Sequence, residues 1–119
     1  MINGVHALVY TKDPDGVRAF FRDVLELPSV DVGRGWLIFG LPPAELAVHP
    51  VEEGEGSHEL WLMCDDITAT VATLEGKGVK ITSPVADRGW GLVTAIAMPG
   101  GGSLGLYQPR HPTALGLTR

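Results

Sequence analysis

Hydrophobic and polar positions alternate over residues 5–11, with Val5, Ala7 and Val9 on one side and His6, Leu8 and Tyr10 on the other. A period of two predicts a strand with two different faces. Asp13-Pro14 then supplies an N-cap and a proline at the first helical position, and Val17, Phe20, Phe21, Val24 and Leu25 recur at helical spacing. The pattern predicts a helix from about residue 14 to residue 26, ended by Pro28. Residues 34–40 and 45–49 read as strands on either side of the Pro42-Pro43 break. In the second of these, Leu46 and Val48 share one face, and Glu45, Ala47 and His49 share the other.

Residues 51–56 are acidic and glycine-containing, lack apolar periodicity, and read as a solvated linker. The pattern then starts over. Leu60, Leu62 and Cys64 alternate with Glu59, Trp61 and Met63, and Asp66 stands as an N-cap before Ile67, Val71 and Leu74 at helical spacing. Gly76 and Gly78 supply the helix stop, and Pro99-Gly100-Gly101-Gly102 turns one strand into another at residues 103–107. Trp36 and Trp90 stand in matching Arg-Gly-Trp triplets, so a βαβββ order occurs twice. The expected layout is a single domain, with module one at about 4–50, the linker at 51–56, module two at about 57–109, and an irregular tail at 110–119. Duplication meets a physical need, because each half-sheet has one face covered by its own helix and one left open.

The chain has 119 residues, enough for one core and too few for two independent ones. The net charge of −5 and the absence of a Lys/Arg stripe argue against a nucleic-acid partner. No apolar run reaches the roughly 20 residues of a membrane span. A lone Cys64 and a start without a basic and apolar leader fit a reducing cytoplasm. No serine nucleophile elbow, phosphate-cradling loop or paired-cysteine zinc motif is present.

His6 seven residues before Asp13, Phe20-Phe21, Val24-Leu25, the Cys64-Asp65-Asp66 helix start, Lys77-Gly78-Val79 and the Pro99 turn carry a resemblance. From residue 4 to residue 109 the chain resembles the vicinal oxygen chelate superfamily of glyoxalases, bleomycin-resistance proteins and extradiol dioxygenases. The resemblance implies an α+β fold in which two βαβββ modules form a cupped mixed sheet, usually as a homodimer. It also implies four inward positions for metal ligands, which fall here on His6, Ala47, Glu59 and Gly105. Two of these residues can ligate and two cannot, which departs from the glyoxalase and dioxygenase patterns. His49, two residues beyond Ala47, points at the same cavity about 7 Å farther along its strand.

Two functions follow. In one, the chain is a small-molecule-binding protein with an incomplete or non-standard metal site, its cup lined by Trp61, Met63, Tyr107, Trp36 and Trp90, although several of these side chains would also serve as ordinary core. In the other, it is a metal-dependent lyase or dioxygenase-type enzyme for substrates with vicinal oxygens. There His6, Glu59 and His49 would hold a divalent Zn, Fe, Mn, Ni or Mg ion, and Glu59 would move the proton. Alternation assigns Glu59 to the cup and His58 to the helix side, and a one-residue slip would exchange them. His111 reads as a solvated tail residue.

Overall fold

The computed structural model describes residues 6–48, 50, 53–54 and 58–115. Its first helix, α1 (Pro14–Ala19), opens where Asp13 accepts a hydrogen bond from the Gly16 N–H at 3.0 Å. It runs on as a π-helical turn, Phe20–Val24, and stops as Glu26 adopts a φ of 57°. A short hairpin follows, β1 (Ser29–Asp31) against β2 (Leu37–Phe39). The Asp31 carboxylate holds its turn by accepting from the Gly33 and Gly35 N–H groups. Residues 29–31 carry no apolar alternation, and pairing with β2 alone makes them a strand.

The second half is one βαβββ unit: β3 (Trp61–Met63), α2 (Ile67–Gly76), β4 (Ile81–Asp87), β5 (Gly91–Ala97) and β6 (Ser103–Pro109). Its four-stranded sheet has the order β3-β6-β5-β4, with β3 parallel to β6 and the other neighbours antiparallel. The Asp66 side chain caps α2 by accepting from the Ala69 N–H, and the Gln108 side chain accepts from the Ile67 N–H at 2.9 Å. The start of the helix is thereby fastened to β6. Pro84 cannot donate to a ladder, and β4 accordingly lies at the sheet edge with register shifts on both sides of Ser83.

One face of this sheet makes the core. Phe20 from the first half packs with Ile67 and Leu74 of α2, Ile96 of β5, and Leu104 and Leu106 of β6, while Leu62 and Cys64 lie against the same cluster. Thr94 is buried there too, and its hydroxyl is satisfied by the Ser83 carbonyl at 2.6 Å. Registers Trp61↔Gly105, Met63↔Tyr107 and Val93↔Tyr107 place those residues on the opposite face. That face bears the candidate site.

The alternation over residues 5–11 and 45–49 predicts two further strands, and here the structure differs. Among the described residues, 6–12 and 41–48 belong to no ladder. Leu8, Tyr10, Leu46 and Val48 are 66%, 88%, 93% and 95% exposed. Alternation prepares a strand, but a strand exists only when another supplies its hydrogen bonds. Among the described residues none does so for these segments.

Candidate functional site

The open face of the sheet is built around two glycines. A Cβ placed on Gly105 would lie 2.6 Å from Cδ2 and 2.7 Å from Cζ3 of Trp61, so the indole lies directly on the bare backbone of β6. A Cβ on Gly91 would meet the Gln108 carbonyl oxygen at 2.9 Å and the Tyr107 ring at 3.3 Å. Both aromatic rings occupy space that any side chain at these positions would claim.

The rings that settle there form a cluster. Trp61 and Trp90 meet edge to face with centroids 6.4 Å apart, Trp61 and Tyr107 at 5.9 Å, and Trp90 and Tyr107 at 5.7 Å. Such pairs contribute about 0.5–1.5 kcal/mol each beyond the area they bury. The Trp61 Nε1–H donates to Glu59 Oε2 at 2.8 Å, which fixes the indole and occupies that carboxylate. Trp61 is nevertheless 37% exposed and Trp90 49%, so apolar ring surface remains in contact with solvent.

Two polar groups close the cluster. The Tyr107 hydroxyl donates to Glu45 Oε1 at 3.1 Å, and the Ala114 N–H donates to Glu45 Oε2 at 2.8 Å. His111 stacks on Tyr107 with centroids 6.2 Å apart and planes 30° apart, its Nε2 3.9 Å from Glu45. Hydrogen bonding by the Ala114 N–H holds the Glu45 carboxyl below its usual range against desolvation, with Tyr107 and His111 acting in the same direction. Burial first, and then Glu45, pushes the Tyr107 phenol up.

The remaining residues singled out by sequence are dispersed. Met63 is half-buried on the same face as Tyr107. Trp36 shares no ring pair among the described residues and lies instead under the Arg18 guanidinium, 4.6 Å from its carbon. His6 and His58 are exposed, and His49 is outside the described residues. Ala47 and Gly105 carry no donor, and Glu59 is engaged by Trp61. Among the described residues, no three His, Cys, Asp or Glu side chains come together as a metal site. The residues present do not form the four-position donor set implied by resemblance. His111, expected to be solvated, is instead half-buried against Tyr107.

Comparison with known proteins gives the family and the fold. The glyoxalase/bleomycin resistance protein/dioxygenase superfamily model matches residues 5–104. The chain belongs to that superfamily. Solved structures with this fold include the antibiotic-binding protein TnmS3 from Streptomyces sp. CB03234, at 24% identity and a TM-score of 0.66, covering 91% of this chain and 97% of that one. A lactoylglutathione lyase from Agrobacterium tumefaciens matches at 17% identity and a TM-score of 0.63, over 89% and 92% of the two chains. A superfamily member from Sphaerobacter thermophilus DSM 20745 matches at 22% identity and a TM-score of 0.61, over 90% and 98%. No curated protein matches the sequence.

As a superfamily member with a glycine under its indole, the protein should respond sharply to Gly105→Ala. The added methyl displaces Trp61, and urea unfolding should show a loss of about 1–3 kcal/mol together with a shifted tryptophan emission maximum. An unchanged spectrum and midpoint would mean that the ring does not rest on Gly105. A second expectation concerns pH. A carboxyl with a lowered folded-state pKa contributes stability above its unfolded value, and that contribution is lost as pH falls through its folded value. Below the ordinary glutamate value of 4.5 the Glu45 contacts should therefore weaken. NMR should show the Ala114 amide losing hydrogen-exchange protection on acidification, and constant protection would break the link.

Proposed function

We propose that this chain is a small-molecule-binding member of its superfamily, holding a planar, largely apolar ligand against Trp61, Trp90 and Tyr107 without a chelated metal. The observation that carries the reading is the Trp61 indole lying on Gly105, at a position where resemblance would place a metal ligand. A donor there would collide with the ring. Stacking surface has taken the place of a ligating atom.

The chemistry suits this use. Open indole faces bury much area and accept any flat partner, and stacking on one aromatic side chain is worth about 1–3 kcal/mol. Met63 adds an adaptable apolar wall. On this reading Glu59 orients Trp61 and does not carry a proton in a reaction. An antibiotic-binding protein shares the fold, which is consistent with a cup used for capture. No helix among the described residues is long and apolar enough to cross a membrane. We place the protein in a reducing cytoplasm, where the free Cys64 thiol persists.

We also propose that the working form is a homodimer. Leu8, Tyr10, Leu46 and Val48 lie in alternating segments without ladder partners among the described residues, and the radius of gyration is 15.4 Å against about 13.3–13.6 Å for a compact chain of this length. A second copy carries the same unpaired segments and would cover them, completing the open side of the cup.

Titration with xanthone, a neutral planar probe, should quench tryptophan fluorescence in chelator-treated protein. Trp61→Ala should weaken binding about tenfold. Stoichiometric, tight binding of Zn, Mn or Ni by the wild type would overturn the metal-free reading. Sedimentation equilibrium should give twice the chain mass, and a monomer at every concentration would remove the proposed assembly.

A further inference from the structure

The tail after β6 does not leave the molecule freely. The Arg110 N–H donates to the Trp90 carbonyl at 2.9 Å, and its guanidinium pairs with Asp87 at 2.7 Å, beside the β4–β5 turn. The chain then folds back. His111 lies across the Tyr107 ring, and three residues later the Ala114 N–H reaches Glu45. Residues 110–115 therefore cross the mouth of the aromatic cluster like a strap fastened at both ends.

What the strap presents is informative. It places a flat nitrogen heterocycle on Tyr107 with one ring nitrogen 3.9 Å from a carboxylate, and an N–H on the other oxygen of that carboxylate. The Glu45 side chain is only 15% exposed, so its charge has little water to satisfy it and depends on donors supplied by neighbours. One of those donors, the Ala114 N–H, belongs to the tail, which is held by exposed contacts and contributes no residue to the described core. A ligand bringing its own donor and its own flat ring would satisfy Tyr107 and Glu45 equally well.

We propose that Tyr107 and Glu45 form the recognition pair of this aromatic face for a planar ring that carries a positive charge or an N–H donor, and that residues 110–115 occupy the pair with His111 until such a ligand displaces them. This rests on the ligand-binding reading above and adds the ligand's polar chemistry and its internal competitor. The exposed parts of Trp61 and Trp90 supply the apolar walls, and an aromatic ring attracts a cation placed over its face. The carboxylate selects against anions by repulsion.

Competition by the strap has a measurable signature, because apparent affinity is reduced by the fraction of molecules in which the site is open. Proflavine, a planar cation, and neutral xanthone serve as probes, read by tryptophan quenching in the full chain. His111→Ala and Ala114→Pro, the latter lacking the N–H that reaches Glu45, should each tighten proflavine binding about three- to tenfold. Glu45→Gln should lower the ratio of proflavine affinity to xanthone affinity about tenfold. In hydrogen exchange, saturating proflavine should speed exchange of the Ala114 amide in wild type.

The failures separate. Proflavine binding that is unchanged or weaker in both tail variants, or added protection of Ala114 on binding, overturns the strap while leaving a binding pocket in place. An unchanged probe ratio in Glu45→Gln overturns the recognition pair. Absence of quenching by both probes in every variant removes the pocket reading itself.

Discussion

The contact between the Trp61 indole and the bare backbone of Gly105 organises the open face of the sheet. Because β3 and β6 run parallel with Trp61 opposite Gly105, the ring has a defined place to lie only if its partner has no side chain. Once it lies there, Tyr107 two residues along β6 meets its edge, Trp90 meets both, and Glu59 has a donor at 2.8 Å. Gly91 repeats the device under Tyr107. The face becomes a stacking surface by subtraction, two missing side chains making room for two large ones.

Much of this was legible in the sequence, and the reasons are local. Asp13-Pro14 and Asp66 cap their helices because a carboxylate beside free N–H groups needs no tertiary partner to act. Strand parity put Trp61 and Met63 on one face and Leu62 and Cys64 on the other, since period two follows from backbone geometry alone. The part of the site made by Glu45 and His111 was not legible. Glu45 lies 62 residues from Tyr107 in sequence, and its pairing with the phenol depends on how the two halves sit together. His111 has no periodic context, so nothing in the chain signals that it turns back onto a ring. Gly105 was visible as a missing ligand, but its use as a seat for Trp61 required the β3–β6 register.

The segments at 6–12 and 41–48 show where pattern and structure part for a physical reason. Alternation records which face a side chain will take if a strand forms, and says nothing of which chain supplies the hydrogen bonds. Phe20 carries the first half onto the core, and the Pro99 turn holds it at the other end, where a Cβ on Gly100 would meet Asp13 and Thr11. The helix is therefore docked while residues 6–12 before it, and 41–48 beyond the β1–β2 hairpin, form no ladder among the described residues. Exposed apolar side chains such as Tyr10 and Val48 are costly to leave in water, at about 25 cal/mol for each Å² of apolar surface, which favours any arrangement that covers them.

Glycine at 105 also changes what specificity can mean at the proposed binding face. A chelating site selects through the geometry of several donors on one ion, and discriminates sharply when a donor is missing. A stacking site selects by flatness and size, is tolerant between similar rings, and gains discrimination only from the few polar groups at its edge. In the proposed site that edge is Glu45, its side chain 15% exposed and placed beside the phenol that a ring would cover. On the reading proposed above, apolar contact with Trp61 and Trp90 narrowed by one carboxylate is the arrangement that capture of a class of flat molecules requires.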